Sequence, residues 1–178
     1  MRTRPRIYLA GPDVFLSDSE QVFAGLKAAC ERLGLVGVEP SDGGLGREFT
    51  GSDDERAQRI YEGNVQLIRE CDGMIANLVN FRGHEPDPGT VFEVGYAVAL
   101  GRPVVAYGVA EGSYADRIRK AIDCTHDDAG VLRERVSGMM VEGLGQRLNL
   151  MLTRSAAIAP SAAAALQRLA RDLGARDA

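Results

Sequence analysis

Two carboxylates stand at the head of one apolar run. Asp87-Pro-Gly-Thr-Val-Phe-Glu93 leads into Val94–Leu100, and between Thr90 and Leu100 the only charged residue is Glu93. A stretch that apolar on every side reads as a buried helix. A carboxylate inside such a helix is costly unless it is paired, hydrogen-bonded or chemically employed. Asp87 sits where an Asp caps free N–H groups, and Pro88 suits the first helical turn. Glu93 falls about two turns further on. The pair is therefore expected to line one cavity, with the glutamate deeper. Carboxylates in different environments take different protonation states, one able to act as nucleophile and the other as acid.

The elements that must position them alternate. Arg6–Ala10 reads as a strand ended by Gly11-Pro12. A helix capped by Ser17 or Asp18 runs to about Leu33, and Leu35–Val38 is a second strand. Pro40–Gly51 is a Gly-rich loop. Ser52-Asp-Asp-Glu55 is a capping box opening a helix to about Glu70. Gly73–Val79 is a third strand, Asn80–Pro86 a loop, and the Thr90–Leu100 helix follows, stopped by Gly101. Pro103–Tyr107 is a fourth strand, Tyr114–Ile122 a helix, Gly138–Val141 a fifth strand, and Leu148–Leu152 a short helix. This alternation predicts an α/β fold with a doubly wound parallel five-stranded sheet and helices on both faces. Ligands of such sheets bind beyond the carboxyl ends of the strands. Gly11-Pro12, Asn77–Gly83 and Asp87 with its helix all follow strand ends, so three loops converge on one crevice. Residues 1–154 read as the domain. Residues 155–178 read as its Ala-rich, helix-prone tail, expected to pack on the surface or at a subunit contact.

Composition narrows the classes. A chain of 178 residues is one domain by length and large enough for a core. Hydrophobic residues make up 45% and charged residues 26%, as in ordinary soluble globular chains. A net charge of -4 and a pI near 5.3 argue against a nucleic-acid polymer as partner. No apolar run reaches the ~20 residues that cross a bilayer, and the basic N-terminus lacks a long apolar region, so neither a membrane nor a signal peptide is expected. Cys30, Cys71 and Cys124 are odd in number and lack metal-like spacing, which fits reduced thiols in a cytoplasm. With His84 and His126 the only histidines, a zinc site or a Ser-His-Asp triad is poorly provisioned. No Gly-x-Gly-x-x-Gly follows the first strand, which argues against a nicotinamide enzyme.

In order along the chain stand Tyr8-Leu-Ala-Gly-Pro12 with Phe15, Cys71-Asp-Gly-Met-Ile-Ala-Asn77, Phe81-Arg-Gly83, Asp87-Pro-Gly-Thr-Val-Phe-Glu-Val-Gly-Tyr-Ala97 and Asn149-Leu-Met-Leu152. This set resembles the nucleoside 2-deoxyribosyltransferase family over roughly Ile7–Leu152. The resemblance implies a flavodoxin-like sheet and exchange of purine or pyrimidine bases on a 2′-deoxyribonucleoside, without metal or organic cofactor. It implies Glu93 as nucleophile, Tyr8 holding that carboxylate in line with the anomeric carbon, and Asp87 binding the nucleoside and helping to protonate the departing base. Gly11, Pro12, Phe15, Arg82 and Gly89 are the further substrate-binding candidates. Asn149 and Met151 resemble residues that the family inserts from a neighbouring subunit, which implies a homo-oligomer, dimer to hexamer, with shared sites. Some family members carry an acid at the end of the third strand. Asn77 stands there instead and is expected to orient the base.

Plain structural alternatives stand beside these roles. Glu93 could pair with Arg82 or Arg102, Asp87 could be only a helix cap, Asn149 could cap the last short helix, and Met151 could be a packing residue. The function competing with base exchange is hydrolysis of a nucleoside or nucleoside 5′-monophosphate on the same scaffold. A phosphate would want glycines, serines and an Arg near the first loop, whereas that loop is Gly-Pro-Asp-Val-Phe with acidic Asp13. A non-catalytic nucleotide-sensing module is the third reading, and it has no need of a buried nucleophile.

Overall fold

The computed structural model describes residues 4–42 and 49–175. Its elements are β1 (Arg6–Ala10), a 3-10 turn (Pro12–Phe15), α1 (Ser19–Arg32), β2 (Val36–Val38), α2 (Asp53–Glu70), β3 (Gly73–Asn77), α3 (Pro88–Ala99), β4 (Val104–Tyr107), α4 (Tyr114–Ala121), β5 (Cys124–His126), β6 (Leu132–Glu134), α5 (Leu150–Ser155), β7 (Ala157–Ile158) and α6 (Ala162–Asp172). Part of the Gly-rich loop read from the sequence, residues 43–48, lies outside the described residues.

Five parallel strands form one sheet in the order β2-β1-β3-β4-β7. The chain moves outward from β1 to β2, then returns past β1 to β3, so the order reverses between β1 and β3. Crevices open at such reversals, at the carboxyl ends of the strands. Strand alternation assigns each side chain a face. Tyr8, Ala10, Met74 and Ala76 point to one side, where Ile68 of α2 and Val94 and Ala97 of α3 bury them. Ile7, Leu9 and Ile75 point to the other, against Phe23 and Cys30 of α1 and Leu166 and Leu169 of α6. Tyr8 is thus aimed at the α2–α3 layer by its place in the strand.

The C-terminal third departs from the sequence expectation. Gly138–Val141 is not the fifth strand: Met140 makes one isolated bridge to Arg133 beside the antiparallel β5–β6 pair. The fifth strand is β7, two residues long, which pairs with β4. The tail is therefore built into the fold. Ala165, Leu166 and Leu169 of α6 are fully buried, and their i, i+1, i+4 spacing is the apolar stripe that a sheet face covers. Two residues are too short a run to read as a strand from pattern alone. The Met139-Met140 pair that suggested one is exposed.

The helix carrying Glu93 also differs in part. Thr90, Val94 and Ala97 are buried, but Phe92 and Val98 are exposed. Phe92 lies between Tyr61 of α2 and Tyr96 in a row of rings 6.0 and 6.1 Å apart. One sheet face covers one side of a helix, so the rest of this apolar run faces outward within the single chain.

Candidate active site

Asp87 starts α3. Its Oδ2 accepts hydrogen bonds from the backbone N–H of Thr90 at 2.8 Å and from the Thr90 hydroxyl at 2.9 Å. A helix start leaves its first N–H groups unpaired, and Asp87 fills that need. Thr90 is itself buried, so the cap is locked from below. No hydrogen bond engages Asp87 Oδ1 among the described residues, which leaves that oxygen for a ligand. Gly89 stands close by: a Cβ there would lie 3.1 Å from Asp87 Oδ2.

Glu93 follows on the same helix. The Tyr8 hydroxyl, from β1, donates to Glu93 Oε1 at 2.7 Å. Neither Arg82 nor Arg102 pairs with Glu93. The Arg82 guanidinium lies over the rings of Phe81 and Phe15, and Arg102 donates to the Arg69 carbonyl. Burial pushes the Glu93 carboxyl up from 4.5 to about 7; the Tyr8 hydrogen bond opposes this, and the charge of Asp87 adds to it. Burial, then the neighbouring Glu93, pushes the Tyr8 phenol far above its ordinary value. Tyr8 therefore stays a neutral donor at any working pH. A carboxylate that is half ionised near neutrality, with no ion pair among the described residues, is a poised nucleophile or acid.

Both carboxylates open onto a cleft of about 790 Å³ at the carboxyl ends of β1 and β2, within the size range of small-molecule sites. Its walls come from the first loop (Gly11, Phe15), the start of α1 (Ser19, Glu20), the segment after β2 (Glu39–Asp42), α2 (Ile60, Asn64) and α3 (Asp87–Glu93). Five carboxylate side chains line it, Glu20, Glu39, Asp42, Asp87 and Glu93, and no Lys or Arg is among the described lining residues. Lys27 of α1 pairs with the lining Glu39 at 2.9 Å. Among the described residues no group of three or more His, Cys, Asp or Glu is arranged to hold a metal ion.

The remaining sequence candidates divide. Gly11, Phe15 and Gly89 line the cleft together with Asp87 and Glu93. Tyr8 stands behind Glu93, fully buried. Pro12 is buried at the start of the 3-10 turn. Asn77 does not line the cleft, and its amide donates to both oxygens of Asp13 at 3.1 and 3.0 Å. Arg82 caps the Phe15–Phe81 ring stack, whose centroids are 5.3 Å apart. Asn149 and Met151 lie elsewhere. Asn149 Oδ1 accepts from Met151 N at 2.9 Å and so caps α5, while its Nδ2 donates to Glu142 at 3.0 Å. The Met151 side chain is 72% exposed.

Sequence reading missed the wall built by α2 and the segment after β2. There Asn64 Oδ1 accepts from Ser41 N–H at 2.7 Å and Asn64 Nδ2 donates to the Ser41 carbonyl at 3.2 Å, pinning the segment after β2. A signal was present. Ile60, Asn64 and Ile68 are four apart, so a polar residue interrupts the buried stripe of α2.

The family model for nucleoside 2-deoxyribosyltransferases matches residues 7–151, from the strand of Tyr8 to the exposed methionine. The chain belongs to the nucleoside 2-deoxyribosyltransferase family. A 2-desoxiribosyltransferase from Leishmania mexicana has a similar structure, with a TM-score of 0.74 and 30% identity over 94% of this chain and 97% of that one. A conserved protein from Enterococcus faecalis shares the fold at a TM-score of 0.58 and 19% identity, over 96% and 98% of the two chains. An uncharacterized protein of Schizosaccharomyces pombe is 36% identical over 116 residues, 65% of this chain. The match spans 55% of that relative's own length. The flavodoxin-like sheet expected from the sequence is thus the fold of the family.

Proposed function

We propose that this nucleoside 2-deoxyribosyltransferase family member exchanges nucleobases on 2′-deoxyribonucleosides through a glycosyl ester on Glu93. The observation that carries the reading is the 2.7 Å Tyr8–Glu93 hydrogen bond at the wall of a cleft that also holds Asp87.

In the first step Glu93 attacks the anomeric carbon as the bond to the base breaks. The bonding electrons leave on the base nitrogen, which takes a proton from Asp87 or from a water that Asp87 holds. Charge develops on the sugar ring as an oxocarbenium-like state, and the carboxylate captures it. In the second step a nitrogen of the incoming base attacks the same carbon, gives up its proton to Asp87 or the water it holds, and releases the Glu93 carboxylate. Two inversions give retention. Splitting one hard displacement into two is what a covalent nucleophile contributes. Tyr8 restrains the carboxylate through Oε1, so a single geometry serves both steps.

The lining supports a neutral nucleoside over a nucleotide. Glu20, Asp87 and Glu93 in the cleft wall oppose a 5′-phosphate. Free water can intercept the ester when no acceptor base is bound, so slow hydrolysis accompanies transfer. Under this reading Asn149 and Met151, which do not line their own chain's cleft, complete the site of a neighbouring subunit, with Asn149 on the sugar hydroxyl.

Deoxyinosine incubated with and without adenine, followed by chromatography, tests the proposal. New deoxyadenosine is the expected product. Base released at one rate with or without adenine, and no new nucleoside, would mean hydrolysis instead. No turnover at all would point to a sensing module.

A further inference from the structure

We propose that Asp13 and Asn77 form a positioning pair that fixes Phe15 as the platform for the nucleobase. This rests on the transfer reaction proposed above.

Asn77 ends β3, at the reversal of the sheet. Its Nδ2 donates to both Asp13 oxygens, and neither residue lines the cleft. Two glycines clear the space for this contact. A Cβ on Gly11 would stand 2.5 Å from Asp13 Oδ2 and 2.8 Å from Asn77 Cβ, and one on Gly108 would stand 2.3 Å from Asn77 Oδ1. Gly11 follows β1 and Gly108 follows β4, so three strand ends converge on one amide. Among the described residues Asp13 has no cationic partner. Its charge is felt by Tyr107 at the end of β4, whose phenol is raised first by burial and then by Asp13.

The pair acts on the site through the backbone. Asp13 is the second residue of the 3-10 turn and Phe15 the last, and the turn is closed by Leu16 N–H donating to the Asp13 carbonyl at 3.1 Å. Phe15 lines the cleft yet is 61% exposed. One side of its ring is taken by Phe81, with Arg82 above. An exposed apolar ring in a cleft wall is a surface awaiting a ligand, and a planar base is a ligand that stacks on such rings. In-line attack by Glu93 sends the base to the far side of the anomeric carbon, away from α3. The first loop is another wall of the cleft. Anchoring Asp13 to the sheet end therefore sets where the base rests, without contact between the pair and the substrate.

Charge and donor can be exchanged between the two positions, which makes the proposal testable. Asn77→Asp sets two carboxylates against each other, whereas D13N/N77D restores one donor and one acceptor with their places switched. Asn77→Asp is expected to raise KM for deoxyinosine about tenfold and lower kcat less than about threefold, and D13N/N77D to return KM to within about threefold of the parent. Hydrogen–deuterium exchange at the Leu16 amide supplies a readout that needs no turnover: faster in Asn77→Asp, slowed again in D13N/N77D. An exchanged pair no better than Asn77→Asp in both readouts overturns the proposal. A purely structural role would lower kcat and thermal stability together and leave KM unmoved, which also overturns it. Should Asn77→Asp not fold, Asp13→Ala, with Asp13→Asn as its conservative rescue, decides the question by the same two readouts. Should the parent protein transfer no base, the transfer reading fails, and amide exchange still decides whether the pair holds the turn.

Discussion

The starts of α3 and α5 obey one rule and do different things. Each is capped by a short polar side chain: Asp87 accepts from Thr90 N–H at 2.8 Å, and Asn149 accepts from Met151 N–H at 2.9 Å. At α3 the cap is only the entrance. About two turns further on, Glu93 meets a buried phenol from the sheet and both carboxylates open onto a cleft. At α5 neither Asn149 nor Met151 lines that cleft. Asn149 is tied to Glu142 on the surface, and Met151 joins Val136, Met139, Met140 and Leu144 as exposed apolar side chains. A cap therefore says nothing of function, since both helices need one. What separates them is the group brought opposite the next turn: Tyr8 in one case, a second subunit in the other if the proposal holds.

The largest effect belongs to the first helix. Glu93→Ala removes the proposed nucleophile and should cut transfer by ~10³-fold or more. It should also abolish covalent labelling by a 2-fluoro-2-deoxy-arabinosyl nucleoside, read by mass spectrometry of the intact chain. Labelling that persists places the nucleophile elsewhere.

Tyr8→Phe comes next. The phenol is the one group that lowers the Glu93 pKa against burial and Asp87. Its loss moves the carboxyl further above about 7, so a larger share of Glu93 is protonated and unreactive at neutral pH. Activity at pH 7 should drop roughly 10- to 100-fold, and the acidic limb of the pH–rate profile should move to higher pH. A lowered rate with an unmoved limb would mean that Tyr8 only packs.

The two helices were not equally legible. Asp87 and Glu93 announced themselves because charge inside an apolar run demands a reason. The Tyr8–Glu93 pairing was an expectation of the family resemblance; strand alternation in β1 aims Tyr8 at the α2–α3 layer without naming its partner. β1, β2, β3 and β4 were marked by brief apolar runs between turns. Much of the remainder was illegible for a physical reason. A two-residue strand such as β7 is stabilised by its pairing with β4 and not by its own composition, so no local signal betrays it. The Asp13–Asn77 contact joins residues 64 apart, and spacing alone reports only neighbours. The row Tyr61–Phe92–Tyr96 stayed hidden because hydrophobicity tells how apolar a helix is but not which side meets the sheet.

At α5 the comparison can be sharpened by mixing. Asn149→Ala should raise KM for the nucleoside roughly tenfold through one lost hydrogen bond, with thermal stability little changed because the cap is exposed. If Asn149 serves a neighbour, Glu93→Gln and Asn149→Ala chains, each impaired alone, should recover activity when mixed, since some shared sites then hold one intact Glu93 and one intact Asn149. Mixtures no more active than the sum of their parts would confine Asn149 to its own chain.

The smallest effect concerns stability and returns to Glu93. Its carboxyl ionises near 4.5 in an unfolded chain and at about 7 in the folded one. Between those values the folded state binds more protons than the unfolded state. Stability due to this group must then fall as pH rises through the window, and above about 7 the whole penalty is present. Gln cannot ionise, yet its amide oxygen can still accept from Tyr8. Glu93→Gln should therefore raise Tm over the parent by about 2–5 °C at pH 8 and by less than half of that at pH 5, measured by calorimetry on both proteins at both pH values. An equal shift at the two pH values would mean that the carboxyl is no harder to ionise in the fold than outside it. The contrast with α5 would then rest on the cleft alone, because a carboxylate that costs nothing to keep charged needs no chemical employment.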